Sequence, residues 1–172
     1  MIASFRGATP AIHPTAYVVD SAVVIGDVVI GADTSVWFHA VVRGDVNSIR
    51  IGRGTNVRDH VTIHVLTAGS QAAVGDGVTI GHGAIVHGCA IGDRTLVGMG
   101  AIVLDGVEVG ADCLIGAGAL LTPSTRIAPG QLVVGSPAKA VRALTDAERA
   151  SLVASAANYA RVAADYRAAG LR

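Results

Sequence analysis

A six-residue repeat of aliphatic side chains runs through most of the chain. A period of six matches neither the 3.6 residues of a helical turn nor the two-residue alternation of a half-buried strand, so it predicts short strands joined by sharp corners. The repeat positions are Ile30, Val36, Val42, Ile51, Val57, Ile63, Val74, Ile80, Val86, Ile91, Val97, Val103, Val109, Ile115, Leu121, Ile127 and Val133.

Three such steps make one triangular coil of about 18 residues, and successive coils stack at the inter-strand spacing of about 4.8 Å. Many repeat residues are followed by glycine, as in Ile51-Gly52 and Ile115-Gly116, which suits the corner conformations that other residues resist. The sequence therefore predicts a mainly β protein, a parallel β-helix of about seven coils over residues 12–134, within a first domain of residues 1–140.

The repeat is interrupted at three places. Extra residues occur near Asp45 to Ser48 and, over a longer stretch, at residues 66–71, and the step from Val86 to Ile91 is only five residues. Because a solenoid must place extra residues outside its coil, we expect loops at the first two interruptions.

A helix is predicted after the repeat ends in the turn-rich segment 135–139. Thr145 and Glu148 have the spacing of a capping box. The apolar residues that follow recur at three and four positions and form one stripe. We expect residues 141–172 to pack along the β-helix or on a neighbouring subunit through this stripe, which consists of Leu152, Ala156, Tyr159, Ala163 and Tyr166.

The composition argues against several partners. With 13 basic and 13 acidic residues the chain has no net charge to attract nucleic acid or a membrane surface. The longest apolar stretch, around Val97 to Leu104, is far shorter than the roughly 20 residues of a membrane span. Residues 1–10 lack the apolar core of a secretory signal, so we expect a cytoplasmic protein. Cys89 and Cys113 have no metal-type spacing and are expected to be small buried residues in a reducing compartment.

Three of the six histidines, His64, His82 and His87, lie in or next to strands of the repeat. A single histidine in a strand is more often hydrogen-bonded or exposed than a ligand. Three neutral imidazoles with a fourth position left to water, however, are the ligand set of a catalytic zinc site. The spacing indicates that one chain cannot aim all three rings at one point, whereas two adjacent subunits could.

In its motifs the chain resembles the γ-class carbonic anhydrases and their bacterial relatives, over nearly its whole length. A six-residue repeat alone is weak evidence, because many acyltransferases share it, but the Arg-Gly-Asp segment together with three spaced histidines is more specific. The matching segments are His13-Pro14, Val36-Trp37, Arg43-Gly44-Asp45, Asn56-Val57-Arg58-Asp59, Ile63-His64, Ile80-Gly81-His82-Gly83-Ala84, His87-Gly88-Cys89, 97–101 and 134–139.

This resemblance implies a left-handed coil, a homotrimer, and reversible hydration of CO2 to bicarbonate by a metal-bound hydroxide at the trimer interface. It implies that His64 and His87 of one subunit and His82 of its neighbour hold the metal. Zinc is the expected ion, although Fe2+ or Co2+ would suit three imidazoles as well.

The same resemblance assigns further residues. It implies a salt bridge between Arg43 and Asp45 across the subunit interface, where a bidentate pair would keep the half-sites in register. Asn56 and Asp59 would line the site, and Tyr159 matches a tyrosine placed over the metal pocket. His13, His39 and His60 match no ligand position and are expected to be structural or exposed.

Arg58 departs from the family, which has glutamine at this position. A guanidinium cannot accept a hydrogen bond, so Arg58 either faces the pocket as a catalytic or substrate-binding cation that favours anions, or pairs with Asp59. Residues 66–73 contain no carboxylate that could carry a proton away from the site.

Other functions remain open on this scaffold. The alternatives are an acyltransferase in which a histidine acts as general base, a metal-dependent thioesterase, and a non-catalytic metal-binding assembly subunit.

Overall fold

A computed structural model describes residues 1–171. The chain forms a parallel β-helix of about seven coils followed by one α-helix, which confirms the predicted fold class. In chain order the elements are β1 (Ile2–Ala3), β2 (Ala11–Ile12), β3 (Tyr17–Val18), β4 (Val23–Ile30), β5 (Ser35–Val36), β6 (Val41–Ile51), β7 (Asn56–Val57), β8 (Thr62–His64), β9 (Ala72–Val74), β10 (Thr79–Ile80), β11 (Ile85–His87), β12 (Ala90–Ile91), β13 (Leu96–Val97), β14 (Ile102–Val103), β15 (Glu108–Val109), β16 (Leu114–Ile115), β17 (Leu120–Leu121), β18 (Arg126–Ile127), β19 (Gln131–Gly135), β20 (Ala138–Ala143) and α1 (Asp146–Ala168).

The strands stack into three flat faces. The helix face contains β3, β5, β7, β10, β13, β16 and β19. The histidine face contains β1, the first halves of β4 and β6, and then β8, β11, β14 and β17. The third face contains β2, the second halves of β4 and β6, and then β9, β12, β15 and β18. Because β4 and β6 turn a corner, each belongs to two faces.

Strand register explains the interruptions of the repeat. Val97 lies opposite Ile115, which is 18 residues later. The step is 21 residues from Val36 to Val57, 23 from Val57 to Ile80, and 17 from Ile80 to Val97. The additional residues leave the coil at the corner between the histidine face and the third face, which we call the loop-side corner. The predicted loop at 66–71 is therefore confirmed, whereas the extra residues near Asp45 to Ser48 lie within the continuous strand β6 and shift its register with β4. The short step at 86–91 tightens the same corner by one residue.

The irregular part of β6 and the 66–71 loop are hydrogen-bonded to each other at this corner. The Asn47 side-chain amide donates to the carbonyl oxygens of Leu66 and Gly69, each at 3.2 Å, and the Ser48 hydroxyl lies 2.9 Å from Gln71 Oε1. Hydrogen bonds across successive coils thus order segments that lie outside the repeat.

Inward-pointing aliphatic residues fill the interior in continuous ladders. The largest side chains that are fully buried include Ile30, Ile49, Ile63, Ile80, Ile115 and Leu121. At the corners the coils approach so closely that only glycine fits: a Cβ atom on Gly92 would lie 2.5 Å from the backbone nitrogen of Ala111 in the next coil. The six-residue spacing of Ile and Val and the glycines that follow them therefore fit the same coil: the aliphatic side chains fill its interior, and the glycines allow close approach of the coils at the corners.

The C-terminal helix packs along the helix face of its own chain. Thr145 caps α1 with the predicted capping box to Glu148, and Leu152, Ala156 and Ala163 of the predicted stripe are buried. The Arg167 guanidinium at the far end donates to the carbonyl oxygens of Thr15 and Ala16 in the first coil. At about 1.5 Å per residue the helix is roughly as long as the stack of coils.

The exit from the coil differs from the simple turn expected from the sequence. After β19 the chain turns back, and β20 pairs antiparallel with β19 before α1 begins. Among the described residues, no helix combines the length and the hydropathy needed to span a bilayer.

Both cysteines are buried and unbonded, as predicted. Burial raises the pKa of the Cys89 thiol to about 12 and also raises that of Cys113.

Because only the thiolate reacts readily, we expect neither cysteine of the folded protein to react with a thiol reagent such as DTNB at pH 8. Once the protein is unfolded in guanidinium chloride, both cysteines should react and release two equivalents of thionitrobenzoate per chain. Rapid labelling of native Cys89 would contradict the burial described here.

Candidate metal centre

His64 and His87 lie side by side at the end of the histidine face that meets the loop-side corner. Strands β8 and β11 pair with His87 directly opposite His64. The two rings meet with His64 Nδ1 3.0 Å from His87 Nε2, and both side chains are mostly buried. The coil therefore places two imidazoles within reach of one ligand.

A carboxylate contacts the other nitrogen of each ring. Asp45 Oδ1 lies 3.1 Å from His64 Nε2, and Asp105 Oδ1 lies 2.8 Å from His87 Nδ1. Since a carboxylate only accepts, each neutral ring carries its hydrogen on the nitrogen that faces the carboxylate. The nitrogens that face each other then both present lone pairs, which a shared cation would satisfy. Carboxylates that orient imidazole ligands in this way are typical of metal sites.

Asp45 is also held by Arg43. Burial acts to raise the pKa of Asp45, but hydrogen bonds from Arg43 and His64 outweigh burial and keep that pKa below its usual value. Asp45 is thus ionised at neutral pH. The Arg43–Asp45 ion pair lies within one chain. The corresponding salt bridge across a subunit interface stays a prediction.

His82 lies at the opposite end of the same face, at the corner shared with the helix face, which we call the helix-side corner. Its Nδ1 is 2.7 Å from Asp59 Oδ2, while Asp59 Oδ1 accepts from the Phe38 backbone N–H at 3.1 Å. Five residues separate His82 from His87, on the order of 15 Å along an extended chain. Within residues 1–171 no three His, Cys, Asp or Glu side chains converge on a metal-binding point. One chain therefore presents two separate half-sites.

Asn56 and Arg58 lie beside the His82 half-site, next to α1. Asn56 is only 1% exposed; its amide donates to Thr79 Oγ1 at 3.0 Å, but its Oδ1 is buried without a hydrogen-bond partner in the described chain. Arg58 does not pair with Asp59, whose carboxylate contacts His82 instead. The Arg58 guanidinium stacks on Tyr159 with its carbon 4.3 Å from the ring centroid, and its buried Nε has no partner in residues 1–171.

An aromatic cluster centred on Trp37 fixes Tyr159 in this position. The Trp37 ring lies 5.9 Å from Tyr159, 5.2 Å from Tyr166 and 5.5 Å from Tyr17, in edge-on geometry. Edge-to-face contacts of this kind stabilise by about 0.5–1.5 kcal/mol each beyond the area they bury. Tyr159 thus packs α1 against the β-helix and also provides the ring on which the Arg58 guanidinium stacks.

Sequence reasoning missed Asp105 as the partner of His87. Counting coils would not have found it, because the step from β11 to β14 is 17 residues and places position 104, not Asp105, opposite His87. His13, His39 and His60 are exposed, in agreement with the expectation that they are structural or exposed; His39 and His60 stack on each other with ring centroids 5.2 Å apart.

Coil geometry and sequence together define a hexapeptide-repeat protein. The family model for bacterial transferase hexapeptide (six repeats) matches residues 88–123. The crystal structure of a hexapeptide transferase family protein from Anaplasma phagocytophilum is similar at a TM-score of 0.93 and 37% identity, covering 96% of this chain and 98% of that one.

Two relatives in sequence show which family of hexapeptide-repeat proteins the chain belongs to. Mitochondrial gamma carbonic anhydrase 1 of Arabidopsis thaliana is 44% identical over 159 residues, which are 90% of this chain, although the match spans only 58% of the plant protein's length. A carbonic anhydrase of Geobacillus kaustophilus is 39% identical over 146 residues, 85% of this chain and 80% of its own length. The chain belongs to the γ-class carbonic anhydrase family.

The aromatic cluster can be tested through Tyr166. Replacing Tyr166 with Ala removes the contact with Trp37, so we expect the free energy of unfolding to fall by about 2 kcal/mol. We also expect faster amide exchange along α1 and a red shift of Trp37 emission. Val153→Ala, on the exposed side of the same helix at 50% exposure, is the matched control and should change neither. Equal effects of the two variants would contradict the anchoring role of the cluster.

Proposed function

We propose that this protein is a metal-dependent carbonic anhydrase-like enzyme that interconverts CO2 and bicarbonate at a centre shared between subunits of a homotrimer. The observation that carries the proposal is the facing pair of imidazole nitrogens on His64 and His87, each ring held by a carboxylate. Family membership supports the reaction, and the separation of the two half-sites supports the shared centre.

The donor set suits a transition-metal cation. His64 and His87 of one subunit and His82 of a neighbour would hold it, with Zn2+ the expected ion and Fe2+ or Co2+ also compatible with three imidazoles. Such an ion lowers the pKa of a coordinated water to about 7 and so makes a nucleophile available at neutral pH. Asp45, Asp105 and Asp59 orient the three rings through the nitrogens that do not face the cation.

The outer surface of the histidine face supports trimer formation. Outward-pointing aliphatic residues form a column along this face, and Ile85 at its centre is 37% exposed. Since the two half-sites lie at opposite edges of this face, a cyclic head-to-tail arrangement would bury the column and bring His82 of each subunit beside His64 and His87 of the next. Five of its six in-register positions are aliphatic, Val23, Val41, Ile85, Ile102 and Leu120, and Thr62 lies between Val41 and Ile85.

The unpaired atoms beside His82 match the product. Bicarbonate offers both an O–H donor and acceptor oxygens, so it complements the free acceptor Asn56 Oδ1 and the free donor Arg58 Nε. The positive charge of Arg58 favours an anion over neutral CO2. Because residues 66–73 contain no carboxylate, protons must leave the site directly to buffer, and turnover should rise with buffer concentration.

A second candidate function is acyl transfer or thioester hydrolysis. The observation that favours it is the His82–Asp59 contact, since a carboxylate on Nδ1 leaves Nε2 free to act as a general base. An assay with short acyl-CoA substrates distinguishes this function, because the hydration reaction releases no free CoA thiol. A third possibility, a non-catalytic metal-binding assembly subunit, would keep the metal and show neither activity.

Metal content tests the shared centre. Protein purified without chelator should contain about one metal per chain, and His82→Ala should lose most of it because a three-ligand site is broken. His60→Ala, which removes an exposed histidine from the same corner, is the control and should keep its metal. The measurement is elemental analysis of trimers separated by sedimentation. Full metal occupancy in His82→Ala would contradict the ligand set.

Activity is measured on the same samples. Stopped-flow CO2 hydration should exceed the buffer rate in zinc-loaded protein and fall with the metal content of His82→Ala. A zinc-loaded trimer without activity would contradict the enzymatic function but would not contradict the proposed metal site.

The role of Asp105 can be separated from that of the ligands. Asp105→Asn removes the charge behind His87, and loss of such an orienting partner typically lowers metal affinity 10- to 100-fold. Asp112→Asn breaks an ion pair with Arg94 away from the site and serves as the control. Competition of each variant with a chromophoric chelator gives the affinities; an unchanged affinity in Asp105→Asn would rule out the orienting role.

A further inference from the structure

A small groove of about 240 Å3 runs along the helix face beside α1. Leu96 and Leu114, which are stacked in register, form its half-buried apolar floor, and Met99 rises at its edge with 55% of its surface exposed. Arg58, two coils before Leu96 and three before Leu114, lies at the other end. The groove therefore has an apolar body and a single cation at its head.

The charge of Arg58 is not neutralised within the described chain. Arg94 pairs with Asp112 and Arg53 with Asp76, but Arg58 forms no ion pair with any residue in 1–171. Stacking on Tyr159 holds the guanidinium in place without using its N–H donors. A planar guanidinium with free donors is the side chain best suited to bind a carboxylate through two hydrogen bonds.

A larger depression elsewhere on the molecule offers a contrast. It has a volume of about 880 Å3 and lies on the third face. The arginines on its rim are already paired, Arg50 with Asp27 and Arg126 with Glu108. It thus presents no unpaired cation to an anionic ligand, whereas the smaller groove presents Arg58.

We propose that the groove binds a short unbranched carboxylic acid, with its carboxylate on Arg58 and its hydrocarbon tail along Leu96 towards Leu114, beneath Met99. One unpaired cation suits a monoanion. The volume is below the roughly 300 Å3 of pockets for drug-sized ligands, which favours a short acid. This inference goes beyond CO2 hydration and does not depend on the metal.

Calorimetric titration of the intact protein with acetate, butanoate and hexanoate tests the groove. Burial of each methylene stabilises by about 0.8 kcal/mol, so affinity should rise about fourfold per added carbon. Leu96→Ala should flatten this dependence. Equal affinity for acetate and hexanoate in the wild-type protein would overturn the proposal.

Two variants test the head group. Arg58→Gln should weaken hexanoate binding at least about tenfold, because it removes a charge-assisted hydrogen-bond donor, while Arg53→Gln should not change it. Unchanged binding in Arg58→Gln would refute the role of Arg58.

The metal centre could itself bind a carboxylate, so hexanoate is also titrated into His82→Ala and into wild-type protein stripped with EDTA. Retained binding in both supports the groove. Loss of binding in both, with Arg58→Gln unaffected, would assign the carboxylate to the metal centre and overturn the proposal. Because no step of the test uses CO2 hydration, failure of the groove and failure of the enzymatic function are distinguishable.

Discussion

The structure depends on the parallel hydrogen bonding of one coil onto the next. This stacking places residues 18 positions apart directly over one another wherever the repeat is regular, and loops or a shortened corner absorb every departure from 18. The same register determines which outward-pointing side chains of successive coils lie next to each other. His64 lies over His87, and Asp105 of the next coil contacts His87 at the same loop-side corner. The same coil stacking that forms the rest of the protein therefore positions the residues of the candidate metal centre.

Much of the fold was predictable because a period of six is incompatible with other regular structures. The apolar ladder, the corner glycines, the longer loop and the capped helix follow directly from residue spacing, whereas the residues near Asp45 to Ser48 were expected as a loop and belong to β6. The left hand of the coil does not, and it was expected only from the family resemblance. The return strand β20 has no periodic signal. Its pairing with β19 depends on backbone hydrogen bonds at the open end of the stack.

Less of the site was predictable, because it depends on contacts between distant segments. His64 and His87 could be paired by counting coils, but the stacking of Arg58 on Tyr159 joins the third coil to α1 and leaves no trace in either segment alone. The alternative pairing of Arg58 with Asp59 is wrong because Asp59 contacts His82. Whether the Arg58 guanidinium is neutralised by Asp59 or stays free for an anion thus depends on the packing of α1, which lies about 100 residues further along the chain.

Two half-sites at opposite edges of one face are the feature that any functional account must explain, and mixed trimers test it most directly. His64→Ala and His82→Ala trimers should each be nearly free of metal. After subunit exchange at equal amounts, about one quarter of the interfaces join an intact His64–His87 pair to an intact His82, if the centre is shared head to tail. The account therefore predicts recovery of about one quarter of the wild-type metal content in the mixture. No recovery after demonstrated exchange, or full metal content in either variant alone, would contradict it.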